Sequence, residues 1–160
     1  MKLRMNYREA KPEAYRAMQG LEAAAGRGLD PLLKELVKTR VSQMNGCAFC
    51  VDMHSKDLLG KGEPAERLLL LPVWREVPAF TEAERAALAF AERAAFIADG
   101  GMPEDVYEEA VRWYGEAGVV DLLLVVNTIG AWNRIAIATG MYPGCFDGPI
   151  GKGDGSGLDR

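Results

Sequence analysis

Apolar positions along most of the chain recur at intervals of three and four residues, the repeat of one face of an α-helix. Runs that alternate apolar and polar residues, as half-buried strands do, do not occur. The pattern predicts an all-α protein of about six to seven helices, packed side by side as hairpins. We expect the main helices over residues 12–25, 31–44, 47–60, 81–98, 103–114 and 119–140, with a short helix carrying 68–71.

Local polar and glycine signals set the predicted helix ends. Asp30-Pro31 supplies an N-cap and a favoured first-turn proline for the second helix. Thr81 followed by Glu84 has the spacing of a capping box. Gly60 can take the left-handed conformation that ends a helix. These signals therefore agree with the hydrophobic pattern.

Proline- and glycine-rich segments mark the predicted connections. Residues 72–78 are bounded by prolines, and we expect a loop or one irregular turn there. From Met141 onward the chain has six glycines and two prolines with little apolar content, which is typical of a loose tail. We therefore predict a single helical domain over residues 1–140 and a Gly-rich C-terminal tail over residues 141–160.

Composition and charge exclude several classes of partner. The 160 residues, 49% of them hydrophobic, suffice for one domain with a buried core. With 19 basic and 23 acidic residues the net charge is -4, so we expect no binding to nucleic acid or to a membrane surface. The start of the chain has no apolar segment of a secretory signal, which indicates a cytoplasmic protein. The most apolar segment, residues 119–138, is interrupted by four polar residues, so we interpret it as a buried helix; these are Asp121, Asn127, Asn133 and Arg134.

Cys47, Cys50 and His54 carry the candidate chemistry. At about 100° per residue they lie within roughly a 100° arc of one helix. Two thiols three positions apart can form a disulfide, and amide groups of the first turn favour a thiolate nearby. His54 is the only histidine of the chain, and an imidazole one turn from Cys50 can take its proton or stabilise its anion. In a reducing compartment this spacing indicates redox or metal chemistry.

A family resemblance extends over roughly residues 32–139. It rests on Glu35-Leu36-Val37 followed, over residues 41–54, by VSQMNGCAFCVDMH. These residues resemble the AhpD-like, or carboxymuconolactone decarboxylase, superfamily, and in particular its alkylhydroperoxidase branch with the motif CxxCxxxH. The resemblance implies an AhpD-like helical bundle that assembles as a homotrimer or a homohexamer.

For that branch the resemblance implies a thiol-dependent peroxidase or disulfide oxidoreductase that reduces organic hydroperoxides. Cys50 is then the attacking thiolate, Cys47 resolves it, and Glu35 and His54 relay its proton. A dithiol protein is the implied reductant. No bound cofactor is expected, because the chain has no glycine-rich phosphate loop, dinucleotide fingerprint or haem-attachment motif.

The residue pattern leaves two points open. On a wheel of the second helix Glu35 lies nearly opposite the apolar half, so periodicity alone predicts a solvated side chain. A functional Glu35 requires that side to be covered by the helix of Cys50 or by another subunit, and a carboxylate buried there is expected to have a raised pKa. The helix N-terminus favours Cys47 as the thiol of lower pKa, whereas the family pattern favours Cys50.

Other positions near the motif extend the hypothesis. Phe49 stands where the best-known peroxidase members carry a histidine, and a phenyl ring cannot move protons. Asn127, Gly130 and Arg134 share one face of the last helix, where they either lie near the site or make helix–helix hydrogen bonds. That helix is apolar on more than one face, which indicates a partner surface.

Three other functions could use the same cluster. The first is a metal site with zinc; its candidate ligands are Cys47, Cys50 and His54 with Glu35, Asp52 or Cys145 as the fourth. The second is a lyase like the carboxymuconolactone decarboxylases, against which the paired cysteines argue. The third is a redox-sensing protein, in which the disulfide changes a partner surface without turnover. Our own expectation for this site is a redox pair without a metal.

Overall fold

The computed structural model describes residues 2–146, and over that range the protein is helical with no β-strand. The α-helices are α1 (Tyr7–Ala10), α2 (Pro12–Ala24), α3 (Pro31–Met44), α4 (Ala48–Gly60), α5 (Ala65–Leu70), α6 (Glu82–Ala95) and α7 (Glu104–Thr139). A short 3-10 helix, Leu71–Glu76, follows α5 directly. The prediction of an all-α fold with about six to seven helices is confirmed.

Two predicted helix caps form as the sequence indicated. Asp30 caps α3, because its carboxylate accepts hydrogen bonds from the amides of Leu32 and Leu33 at 2.9 and 3.0 Å. At the start of α6 the Thr81 hydroxyl accepts from the amide of Glu84, and the Glu84 carboxylate accepts from the amide of Thr81. Each cap stabilises its helix by about 1 kcal/mol.

Some element boundaries differ from the prediction. The four-residue α1 precedes the first predicted helix, and the side chain of Asn6 caps it. α6 ends three residues early, where the chain turns and the Arg93 side chain donates to the carbonyl oxygen of Gly101 at 2.9 Å. Gly115, with a φ of 66° and a ψ of 174°, breaks the helical backbone inside α7, so two helical segments meet at a kink there, as the sequence predicted. The predicted irregular connection over 72–78 contains the 3-10 helix.

α3 lies in the middle of the packing. It contacts α4, α6 and α7, and α7 in turn packs against α6. Val37 and Val41 belong to one hydrophobic cluster with Phe90 of α6, whereas Leu36 belongs to a second cluster with Leu58 of α4. Full burial of a side chain such as Phe90 contributes about 1.5–3 kcal/mol. α3 is therefore covered on several sides, which determines the environment of its polar residues.

α7 is the longest helical element in the described part of the chain. By length and composition it could cross a membrane, but half of its most apolar window is buried inside the protein. Thr128 and Asn133 are buried within it, and both side chains form hydrogen bonds inside the domain. About half of its apolar surface therefore belongs to the core of the domain.

The first and last described segments lie side by side. The Arg4 amide donates to the carbonyl oxygen of Thr139 at 2.8 Å. The ring of Phe146 meets that of Phe49 edge-on, with the centroids 6.1 Å apart. Residues 141–146 of the predicted tail thus contact the helical domain, and residues 147–160 lie outside the described residues. The division at residue 140 stays a prediction.

Candidate functional site

Cys47 is the N-cap of α4. Gly46 before it has a φ of 69°, a left-handed conformation that favours glycine, and connects α3 to α4. The Cys47 sulfur accepts a hydrogen bond from the Cys50 amide at 3.4 Å, and the two sulfurs are 2.6 Å apart. Both are free cysteines, with exposed fractions of only 1% and 2%. The spacing seen in the sequence therefore produces a buried dithiol in direct contact.

The two thiols differ in proton affinity. The contact with the Cys50 sulfur, together with the Cys50 amide and the Asn133 side chain, outweighs burial and lowers the pKa of Cys47. The same contact, together with burial and the charge of Cys47, raises the pKa of Cys50 far above its usual range. Cys47 is therefore the thiol that ionises first, in the order that a helix N-terminus favours.

Glu35 and His54 form a second buried pair. Glu35 Oε2 lies 2.7 Å from His54 Nδ1, and the two residues are 9% and 6% exposed. The wheel-based expectation of a solvated Glu35 is therefore wrong. A wheel describes one helix by itself, whereas α4 and a side chain from α2 cover the polar side of α3 in the folded protein.

Lys38 balances the charge of Glu35. Its ammonium group is 3.2 Å from Glu35 Oε1, contacts the carboxylate of Glu22 on α2, and is buried. Burial acts to raise the pKa of Glu35, but the hydrogen bonds and charges of His54 and Lys38 lower it to about 2. The expectation of a raised pKa at Glu35 is wrong as well, because the carboxylate is buried together with cationic partners.

The dithiol and the Glu35–His54 pair occupy successive turns of α4. Among the described residues no hydrogen bond joins His54 to either sulfur, and the ring binds Glu35 through Nδ1. A proton that moves between the two pairs must therefore pass through a water molecule or follow a rotation of the imidazole ring. The structure thus brings together the four residues that the sequence singled out, as two pairs.

Asn133 is a site residue that the sequence interpretation did not assign to the site. Its side-chain amide donates to the Ser42 hydroxyl at 3.0 Å, and its carbonyl oxygen accepts from the Asn45 side chain at 2.9 Å. It also contributes to lowering the pKa of Cys47. The sequence feature that could have pointed to Asn133 is its place in the most apolar helix, because burying an amide side chain is costly unless it has hydrogen-bond partners.

Asn45 also lines a small cleft. It has a volume of about 150 Å³ and lies between α3, the end of α6 and α7. Asn127, Gly130 and Arg134 all line it, so the face predicted for them forms one surface. Neither Asn127 nor Arg134 makes a side-chain hydrogen bond within residues 2–146. The guanidinium group of Arg134 lies against Gly130, where an added Cβ would be 3.1 Å from one of its nitrogen atoms.

Aromatic side chains cluster around the start of α4. Phe49 packs against Phe146, and the guanidinium carbon of Arg8 lies 4.4 Å from the centre of the Phe146 ring. The rings of Tyr7 and Trp132 are tilted against each other, with centroids 6.1 Å apart. The position between the cysteines thus carries a packing residue that joins α4 to the C-terminal segment.

The proposed zinc ligands do not form one set. Within the described part of the chain, the donor atoms that meet within 4.8 Å of one another belong to Glu35, His54 and Asp57, and the cysteines are not among them. Asp52 instead pairs with Lys56 at 2.8 Å on the surface. The positive charge facing Glu35 is already supplied by the Lys38 ammonium group. This arrangement favours an ion-pair network over a metal centre.

Comparisons with known proteins agree with the geometry. The sequence profile described as "Carboxymuconolactone decarboxylase family" matches residues 12–93. The uncharacterized protein YdfG of Bacillus subtilis (strain 168) is 39% identical over 141 residues, which cover 88% of this chain and 96% of YdfG.

Two solved structures share the fold. A protein of unknown function from Agrobacterium tumefaciens, provisionally assigned as the antioxidant defence protein AhpD, is 38% identical with a TM-score of 0.85, over 89% of this chain and 99% of that chain. An uncharacterized peroxidase-related protein from Ralstonia eutropha JMP134, with an alkylhydroperoxidase AhpD core, is 22% identical with a TM-score of 0.75. That likeness covers 86% of this chain and 74% of the other, and it concerns the fold alone.

Proposed function

The chain belongs to the carboxymuconolactone decarboxylase family within the AhpD-like superfamily, and from this premise we propose that it is a thiol-dependent peroxidase or disulfide oxidoreductase. Its substrates are organic hydroperoxides, and its redox pair is Cys47 and Cys50. The observation that carries the proposal is the contact between the two buried sulfurs, 2.6 Å apart, and this contact lowers the pKa of Cys47. A thiolate beside a second thiol can be oxidised and then closed to a disulfide.

The reaction has three balanced steps. The thiolate attacks one oxygen of the hydroperoxide, the O–O bond breaks, the sulfur becomes a sulfenic acid, and the alkoxide leaves as an alcohol after taking a proton. The second thiol attacks the sulfenic sulfur, so an S–S bond forms and water leaves. A dithiol protein then reduces the disulfide and is itself oxidised.

Glu35 and His54 have the role of proton relay in this proposal. The alkoxide and the departing hydroxide both need a proton, and a buried imidazole bound to an ionised carboxylate can supply and recover one. Such relays contribute about 10²–10⁴-fold to the rate of comparable reactions.

The family resemblance and the structure favour different cysteines as the thiolate. The family resemblance assigns the attack to Cys50, whereas the N-cap position and the lowered pKa favour Cys47 as the resting thiolate. We propose that Cys47 carries the charge in the resting protein. A sulfenic-acid trap applied to Cys47→Ser and Cys50→Ser then labels the cysteine that attacks, because its partner cannot close the disulfide.

Thiol counting by mass spectrometry tests the proposal. The purified protein is measured before and after one equivalent of cumene hydroperoxide, beside Cys50→Ser and a Cys145→Ser control. We expect the wild type and Cys145→Ser to lose two thiols through a Cys47–Cys50 disulfide, reversibly with a dithiol, and Cys50→Ser to form no such bond.

Two other outcomes contradict the peroxidase. Unchanged thiols with stoichiometric zinc would indicate the metal site. Unchanged thiols without metal would leave the fold in place and make the lyase of the family's name the next hypothesis to assay.

Assembly and location complete the proposal. Val120, Leu123 and Ile137 of α7 have exposed fractions of 54%, 36% and 48%, more than an isolated domain usually leaves on its longest helix. We propose that this face supports a homotrimer or homohexamer in the cytoplasm, and light scattering after gel filtration measures the mass. A monomer at micromolar concentration would contradict this part of the proposal.

A further inference from the structure

A buried ammonium group between two carboxylates lies beside the proposed redox site. Lys38 contacts Glu22 on α2 and is 3.2 Å from Glu35 on its own helix. Glu35 in turn binds His54 on α4 at 2.7 Å. Four ionisable side chains from three helices therefore form one chain of contacts, Glu22–Lys38–Glu35–His54. This chain ends one turn of α4 away from Cys50.

Stability by itself does not explain such a chain. Replacing a buried ion pair by apolar side chains of similar volume is often neutral or stabilising, because the charges lose their hydration. Lys38 is 5% exposed, and one oxygen of the Glu22 carboxylate is buried with no hydrogen-bond partner in the described part of the chain. The charge of Lys38, rather than its bulk, is the feature to be explained.

We propose that Lys38, held by Glu22, is a positioning residue that sets how tightly the Glu35–His54 pair holds its proton. The Lys38 ammonium group attracts part of the negative charge of Glu35, which would otherwise act on the imidazole ring alone. Glu22 moderates this effect because it shares the same ammonium group. The inference rests on the proposed function, since the proton in question is the one delivered during peroxide reduction.

Other charged groups near Glu35 remain constant in the test. Lys34, one turn earlier on α3, donates to the carbonyl oxygen of Ala25 at 2.6 Å. Asp57 on α4 has a carboxylate oxygen within 4.8 Å of the Glu35 and His54 donor atoms. Because neither is altered, differences between the variants report on Lys38 and Glu22.

His54 gives a direct readout because it is the only histidine of the chain. Its ring resonances are followed by NMR as a function of pH in the reduced protein. Lys38→Met removes the competing cation, so the titration midpoint of the ring rises by about one pH unit. Glu22→Gln removes the second carboxylate that shares the Lys38 ammonium group. The full charge of Lys38 then acts on Glu35, so the titration midpoint of His54 falls. The double variant removes one charge of each sign and returns the midpoint towards the wild type.

The opposite signs separate this role from a structural one. If the contacts only support packing, Lys38→Met and Glu22→Gln loosen the same region and move the midpoint in the same direction. Lys38→Arg keeps the charge and is expected to restore the wild-type midpoint. Lys56→Met removes an equal charge from a side chain that is 70% exposed on α4, and is the control expected to cause no shift.

The readout also distinguishes two kinds of failure. In the first, the His54 midpoints move as described while the thiols do not react with cumene hydroperoxide. That result would support the role of Lys38 and contradict the peroxidase. Thiols that react normally, with midpoints unmoved or moved in one direction, would overturn the role of Lys38 and leave the peroxidase. If Lys38→Met does not fold, Glu22→Gln and the double variant still carry the comparison. The pH profile of thiol loss is expected to shift with the same signs.

Discussion

Glu92 and Glu35 have side chains that are each 11% exposed, but they have different partners. Glu92 on α6 accepts hydrogen bonds from Arg40, Trp74 and Arg75 at 2.7, 2.9 and 2.5 Å. Glu35 on α3 is bound by Lys38 and by His54. Burial acts to raise the pKa of each carboxyl, and the hydrogen bonds outweigh it and lower the pKa in both cases.

The difference lies in whether the partners can titrate. Guanidinium and indole groups keep their protons at every physiological pH, so Glu92 has no partner with which it can exchange a proton. Its hydrogen bonds instead join α3, α6 and the 3-10 helix. An imidazole changes its charge near neutral pH, so Glu35 has a partner with which a proton can be shared. Equal burial and an equal direction of pKa shift therefore do not identify a functional acid; its partners do.

Replacing Glu92 gives the largest expected effect on stability. Glu92→Leu leaves the half-buried guanidinium of Arg40 and the indole N–H of Trp74 without an acceptor, and we expect a loss of roughly 3 kcal/mol in the free energy of unfolding. Urea denaturation measures it. Under conditions in which the variant is folded, we expect the rate of thiol loss with cumene hydroperoxide to be unchanged. A slower reaction under those conditions would contradict the purely structural role of Glu92.

Replacing Glu35 is expected to act on the reaction. Glu35→Gln keeps the shape and removes the carboxylate that orients His54, so we expect the rate of thiol loss to fall about 100-fold, which corresponds to about 2.7 kcal/mol in the barrier. Stopped-flow kinetics with cumene hydroperoxide measure this rate, with Glu92→Gln as the matched control. Equal rates in the two variants would contradict the assignment of Glu35.

Acid unfolding sharpens the comparison through linkage. Because the pKa of Glu35 in the folded protein, about 2, lies below its ordinary value of 4.5, its contribution to stability is present above pH 4.5 and is lost as the pH falls towards 2. Glu92 has a shift of the same sign. Unfolding free energies measured between pH 7 and pH 3 should therefore fall less in either Glu→Gln variant than in the wild type. A variant that declines as steeply as the wild type would contradict the lowered pKa of its glutamate.

The two helix N-termini in these regions extend the comparison. Thr81 caps α6 with both bonds of a capping box, so Thr81→Ala is expected to lower the free energy of unfolding by about 1 kcal/mol. Thermal and urea denaturation should agree on this value. A change below the error of either method would mean that the capping box contributes little in this protein.

Cys47 caps α4 with a sulfur atom, a weaker acceptor than the oxygen of the preferred cap residues. Cys47→Ser is therefore expected to keep or raise the stability of the reduced protein, by up to about 0.5 kcal/mol, while it abolishes the disulfide. Denaturation under reducing conditions measures the change. A clear loss of stability would show that the sulfur is needed for packing.

Local spacing explains which part of the site was predictable. Cys47, Cys50 and His54 lie on one helix, so the helical repeat alone places them on one face. The helix ends at Asp30 and Thr81 were predictable for the same reason, because a cap acts over three residues. Family resemblance added Glu35 and the fold.

Contacts between helices explain what was missed. The wheel of α3 made Glu35 a surface residue because it contains no information about α2 and α4. Lys38 had no visible role for the same reason, since its second partner, Glu22, comes from another helix. Asn133 lies 91 positions from Ser42, and only the packing of α7 against α3 makes them neighbours.

The contact between Phe49 and the C-terminal segment has a consequence for biosynthesis. Arg8 and Phe49 leave the ribosome long before Phe146, and domains begin to fold from their N-terminal side during synthesis. The helical turn that carries both cysteines can therefore form before Phe146 has been translated. The packing of the Phe146 ring against Phe49 and Arg8 is then among the last contacts that the described residues can make.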